Sequence, residues 1–391
     1  MTIQPRNLLA CAALLAACGS SAETPAPTTT APATDVIPDP APAQALGGLA
    51  PLPAATFRRE EAMLGRRLFF DPRLSGDGTV ACATCHQLDH GGAEPRVTSL
   101  GIHQQVGPIN APSVLNSSLN FVQFWDGRAA DLEAQAAGPV TNPLEMGATW
   151  DQALGAVRSD PTYVETFAAV YGGDGAAAIT QENVTGAISE YERMLITPGR
   201  FDRFVGGDAS ALTEDERRGY ALFTSVGCTT CHTGAGVGGT MYQRLGVAHD
   251  YFAECGRPLT DADNGRFNVT HAESDRHSFK VPSLRNVADS APYFHDGSRA
   301  TLDEAVRTMG HYQLGRDLTD EQVRLVVAFL GTLSGEIPPD ARPPTDTATP
   351  SAPPTPVSQP GGPPTTEAPP TGGSAPAAPT EAPPPTVAAE S

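Results

Sequence analysis

Apolar residues recur at helical spacing through the middle of the chain. Residues Phe57 to Phe70 form an amphipathic run that Asp71-Pro72 stops. Val184, Ile188, Tyr191 and Leu195 follow one helical face before Pro198-Gly199 ends it. Thr213 with Glu216, Thr301 with Glu304, and Thr319 with Gln322 have the spacing of capping boxes, each opening a helix. The last leads into Val323, Val326, Val327, Leu330 and Leu333, an apolar face. No stretch alternates as an extended sheet would. The pattern predicts a mainly α-helical body with long loops.

Both ends break this pattern. Arg6, the apolar run Leu8 to Ala17 and the small residues after it read as an export signal. Leu15-Ala16-Ala17-Cys18 has the form of a lipoprotein box, which would make Cys18 the lipidated first residue of the mature chain. Residues 19–50 and 341–391 are rich in Ala, Pro and Thr and poor in large apolar residues, so both are expected to be disordered. Between them, 51–200 and 201–340 leave room for two domains of ordinary size.

Charge and cysteines narrow the function. The formal charge of the 391 residues is −19. That argues against a nucleic-acid partner, since phosphate binding needs a basic face, and it suits a basic protein partner. Of seven cysteines, Cys11 and Cys18 lie in the leader and four form the two motifs described next. Cys255 alone remains, expected as an unreactive thiol with no partner for a disulfide.

Cys82-Ala-Thr-Cys85-His86 and Cys228-Thr-Thr-Cys231-His232 are two copies of C-x-x-C-H, the signature of covalent c-type haem attachment. Each thiol pair can add to two haem vinyl groups, and the adjacent histidine then takes the proximal axial position. One copy per domain-sized segment predicts a di-haem cytochrome, with His86 and His232 as proximal iron ligands. The distal ligands are not fixed by spacing: the remaining histidines and six methionines leave the choice open.

Further segments carry a resemblance. Leu64 to Leu74, Gly107-Pro-Ile-Asn-Ala-Pro-Ser-Val-Leu-Asn116, Phe124-Trp-Asp-Gly-Arg128, Asn142-Pro-Leu-Glu-Met-Gly147, Phe279-Lys-Val-Pro-Ser-Leu-Arg-Asn286 and Pro292-Tyr-Phe-His-Asp-Gly297 run in this order. The order is similar to that in bacterial di-haem cytochrome c peroxidases, over roughly Phe57 to Leu333. The resemblance implies two cytochrome c-like domains packed together, a peroxidatic haem in the first and an electron-accepting haem in the second. It implies reduction of hydrogen peroxide with electrons from a small cytochrome c or copper protein, in the periplasm and as a homodimer.

It also implies roles. Met309 would be the distal ligand of the second haem, and His103 a detachable distal ligand of the first. Ile102-His-Gln-Gln-Val-Gly107 is one residue shorter than the family form, and His90 is the competing candidate. Glu145 would move a proton between peroxide oxygens and Gln135 would orient the peroxide. Trp125 would lie between the haems. A calcium ion would take the Asn110 side chain and the carbonyls of Ser290 and Pro292, hard oxygen ligands that suit it. Two other functions compete: a relative that oxidises or matures a protein substrate, and a pure electron carrier. Met309 disfavours the first, whose second haem carries a distal tyrosine; Tyr312 lies nearby. Glu145 and Gln135 disfavour the second.

Overall fold

The computed structural model describes residues 36–344. Cys18 and the rest of the expected leader lie outside them, as does the tail from residue 345. The described residues are mainly helical, and the only paired strands among them are two three-residue ones. Tyr242–Arg244 runs antiparallel to Ser278–Lys280, Tyr242 opposite Lys280. No helix among the described residues is long and apolar enough to cross a membrane.

The helix signals in the sequence are realised closely. The Phe57–Phe70 run forms the helix Arg59–Phe69, and the Val184 face belongs to Gln181–Met194. All three capping boxes close, opening Glu214–Ser225, Leu302–Thr308 and Asp320–Gly331. In each, the threonine hydroxyl takes a backbone N–H that the first turn cannot satisfy internally.

Two apolar cores result. One gathers Leu64, Leu68, Phe69, Phe167, Ile188 and Tyr191 around the crossing of Arg59–Phe69 with Gln181–Met194. The other gathers Phe201, Tyr220, Phe223, Val326 and Phe329 where Glu214–Ser225 crosses Asp320–Gly331. Both crossings depend on a glycine. A Cβ on Gly65 would overlap the carbonyl of Ala187, and one on Gly219 the carbonyl of Leu325.

The ends of the described chain change places. Residues 36–50, read from composition as part of a disordered linker, strap onto the second core. Ala41 and Leu49 are buried there, Arg217 Nε donates to the Ala41 carbonyl at 2.8 Å, and Leu49 bridges to Gly234. A few apolar residues among the prolines suffice because the surface they cover is already built. At the other end Ala341, placed by composition in the tail, is fully buried in the first core and accepts a hydrogen bond from the Tyr191 hydroxyl at 2.7 Å.

The halves also share a loop. Asn116 and Asn286, Phe124 and Phe294, and Gly127 and Gly297 have matching left-handed backbones at an offset of 170 residues (116 to 286). The bridges Gln123–Ala129 and Tyr293–Arg299 and the helix caps Asp131 and Thr301 keep that offset. Asn116 Nδ2 reaches Asn286 Oδ1 at 3.3 Å, with Thr197 hydrogen-bonded to both, so the repeats meet at a buried polar junction.

Candidate haem sites and their seam

Each C-x-x-C-H motif winds a single turn. The backbone N–H groups of His86 and His232 donate to the carbonyls of Cys82 and Cys228, both at 3.0 Å. In the first motif both thiols and the imidazole line one cavity, and all four motif thiols are free. Imidazole Nδ1 of His86 lies 3.3 Å from the Gly92 carbonyl, and that of His232 3.3 Å from the Val237 carbonyl. A carbonyl only accepts, so Nδ1 carries the proton and Nε2 presents its lone pair, the tautomer an iron ligand needs. Burial lowers both imidazole pKa values, that of His232 to about 4, which keeps them neutral. Burial pushes the Cys82 and Cys228 thiols up to about 12. The donor set fits two c-type haems.

The first motif borders a cavity of about 530 Å³, open solvent at its mouth included, lined by Cys82, Cys85, His86, Gln135, Pro139, Glu145 and Glu192. Glu145 and Gln135, far apart from the motif in sequence, are thus brought to it. Asn142 Nδ2 donates to Glu145 Oε1 at 2.6 Å. Burial raises the Glu145 pKa against the opposing pull of Arg128 and Asn142.

The 170-residue repeat exposes an asymmetry. Gln135 and Pro139 of the Leu132–Thr141 helix correspond to Ala305 and Met309. Met309 begins a π-helical turn, Met309–Gln313, an irregularity often found at functional positions. Its thioether can ligate iron; Pro139 has no ligating atom.

Sequence reasoning overlooked Pro139 and Glu192. The repeat was the signal for Pro139. Glu192 sits one turn beyond Ile188 and both line the cavity. Burial, with Glu133 nearby, raises its pKa to about 8.

His103 is not brought into this cavity. It sits at the tip of a loop closed by the Leu100–Val106 bridge, its side chain 68% exposed and its Nδ1 3.4 Å from Asp77 Oδ2. Gly101, at the loop base, does line the cavity. The competing His90 is engaged elsewhere, its Nε2 2.6 Å from the Ala291 carbonyl.

Trp125 occupies the seam between the halves, edge-on to Phe279 and His295 at ring-centre distances of 6.5 and 6.4 Å. Asn110 is buried beside it, and its Nδ2 donates to the carbonyls of Arg96 and Val97 at 3.0 and 3.2 Å. Its backbone N–H donates to the His295 carbonyl at 2.8 Å, next to the loop carrying Ser290 and Pro292. An amide oxygen and main-chain carbonyls are donors of the kind that suit a hard cation. Asp263, His295 and Asp296 also cluster, but Arg257 Nη2 lies 2.6 and 2.7 Å from the two carboxylates, so a guanidinium fills that centre. Cys255 is partly buried, its Sγ 3.5 Å from the Phe252 carbonyl. Tyr312 packs edge-on against Tyr251 at 5.2 Å.

The family model for di-haem cytochrome c peroxidase matches residues 59–210, and that for cytochrome c matches 216–334. Cytochrome c551 peroxidase of Nitrosomonas europaea is 49% identical over 294 residues, 74% of this chain and 85% of that protein. This chain belongs to the di-haem cytochrome c peroxidase family. Cytochrome c peroxidase Ccp of Escherichia coli is 47% identical over 72% of this chain, a match spanning 59% of that longer protein. A solved MauG-like protein associated with microbial copper homeostasis is more distant, 29% identical with a TM-score of 0.67 over 76% of this chain and 96% of that one. Two c-type haem domains, mainly helical, follow from this membership.

Proposed function

We propose that this chain reduces hydrogen peroxide to two waters, drawing two electrons and two protons per turnover. The observation that carries the reading is the asymmetry of the repeat: Pro139 stands where the second half has Met309, in a cavity that also holds Glu145 and Gln135. A pure electron carrier has no use for a distal side walled by a residue without a ligating atom and furnished with a carboxyl. The bound haem supplies redox chemistry at its iron. The protein's part is to hold His86 neutral beneath it, to orient peroxide with the Gln135 amide, and to move a proton at Glu145 from the near oxygen to the leaving one.

Met309 would help hold the second haem through its thioether, and Met/His ligation would raise that haem's potential, which suits electron entry there. Electrons come from a small cytochrome c or copper protein and pass by way of Trp125. His103 acts as a detachable ligand: the loop about the Leu100–Val106 bridge folds inward to deliver it and outward to free the cavity. Calcium binds through the Asn110 side chain and the carbonyls of Ser290 and Pro292. The protein works in the periplasm as a homodimer, lipid-anchored through Cys18. Relatives that mature a protein substrate carry a distal tyrosine; the packing of Tyr312 against Tyr251 favours Met309 instead.

A steady-state assay with hydrogen peroxide and a reduced small cytochrome c tests the activity. Turnover is expected, and its absence from both oxidised and half-reduced protein would overturn the reading.

A further inference from the structure

Lys280 is a buried cation without a counter-charge. It closes the strand Ser278–Lys280, is 5% exposed, and its backbone N–H donates to the Trp125 carbonyl at 2.8 Å. Among the described residues no carboxylate lies within ion-pair distance of its ammonium, and no hydrogen bond engages it; burial alone bears on its pKa. Arg285 shows how this fold treats a comparable charge. It is 1% exposed, and its guanidinium meets Asp202 at 2.9 Å and the carbonyls of Ala235 and Ala50 at 2.8 and 3.2 Å. A buried ammonium left unpaired is costly enough that one without a protein partner points to an anion from elsewhere.

The ribbon that carries Lys280, and the chain just beyond it, border the second haem motif. Gln243, opposite Phe279, has its Nε2 3.8 Å from Cys231 Sγ. Two residues beyond Lys280, the Pro282 carbonyl faces the His232 imidazole and pulls its pKa upward. A c-type haem brings two propionate carboxylates, anions that a protein must pair where they are withdrawn from water.

We infer that Lys280 is the counter-ion for a propionate of the haem held by Cys228, Cys231 and His232. This rests on the two-haem reading of the family, and not on peroxide turnover. Beside that carboxylate the ammonium offsets negative charge near the iron and so stabilises the reduced, less positive state of this haem. Lys280 is a positioning residue, and it acts through the propionate.

The experiment is a spectroelectrochemical titration of both haems, from pH 5 to 8, in the full haem-loaded protein and in Lys280→Met and Lys280→Arg, with haem content counted first. In Lys280→Met the reduced-to-oxidised ratio of the His232 haem at pH 8 should fall at least tenfold at fixed potential, 59 mV for a one-electron couple. Its midpoint should also gain a steeper pH slope as the unpaired propionate titrates. Lys280→Arg should keep the wild-type midpoint. An unchanged midpoint in a fully loaded Lys280→Met protein overturns the inference, as does a shift confined to the His86 haem. If Lys280→Met fails to take up the second haem, full loading and a wild-type midpoint in Lys280→Arg support the charge pair. Failure of both variants to load would make the position steric and overturn it. Peroxidase activity, assayed separately, decides neither outcome.

Discussion

The indole N–H of Trp125 donates to the main-chain carbonyl of Asn110 at 2.9 Å. The residue proposed to carry electrons across the seam is thereby fastened to the residue proposed to hold calcium. Trp125→Phe keeps a ring in place and deletes one neutral hydrogen bond, about 1 kcal/mol. Calcium affinity should fall about fivefold if that energy is spent on orienting Asn110. Titration of calcium into chelator-treated protein, followed by haem absorbance, measures it; an unchanged affinity would uncouple the two residues.

Glu145→Gln keeps the size of the side chain and removes the transferable proton. Turnover with peroxide should drop by roughly 10²–10⁴, the usual worth of positioned proton transfer, with haem loading intact. Burial raises the pKa of this carboxyl, so its limb in the pH profile of kcat should lie above about 4.3, the ordinary glutamate value. That limb should vanish in the variant. A profile that keeps it assigns the proton to another group.

Glu192 makes stability depend on pH. Its folded pKa, about 8, is above the unfolded value near 4.3. The folded state therefore binds the proton more tightly. Stability from this group is fully present below the unfolded pKa and is lost as pH rises through about 8. Glu192→Gln should remove that loss, gaining a few kcal/mol relative to wild type at pH 9 and little at pH 4. Urea unfolding of haem-loaded protein at the two pH values checks the sign, and equal effects at both would show that Glu192 does not titrate there.

Gly219→Ala should destabilise the second half, because the added methyl overlaps the Leu325 carbonyl and forces Glu214–Ser225 away from Asp320–Gly331. Overpacking of this kind costs about 1–3 kcal/mol. The control is Gly155→Ala, in a helix whose glycine has open space around it. Thermal melts should separate the two, and a matching gain in both would mean that the helix pair can part freely.

The helices were legible because each carries local signals, an apolar stripe and a Thr-x-x-Glu or Thr-x-x-Gln start, that tertiary packing had no reason to override. The two candidate haem histidines, His86 and His232, could be picked out because thioether chemistry demands a fixed Cys-x-x-Cys-His spacing. Less could be read of what the fold assembles from distant segments. Glu192 lies on an otherwise conventional helix and becomes a cavity wall only when Leu132–Thr141 packs against it. Composition misjudged residues 36–50 because it measures whether a segment can build a core and not whether it can cover one. The position of His103 depends on how a loop is folded, which no local pattern encodes.

The exchanged ends, with Leu49 buried in the second core and Ala341 in the first, couple folding to the order of synthesis. The first half cannot complete its interior until Ala341, near the end of the described residues, has arrived. A chain emerging N-terminus first keeps Cys82 and Cys85 in an unfinished fold for most of its passage, reachable by the machinery that attaches haem. Docking of Ala341 then acts as a latch, shutting the first half only after the second has been made.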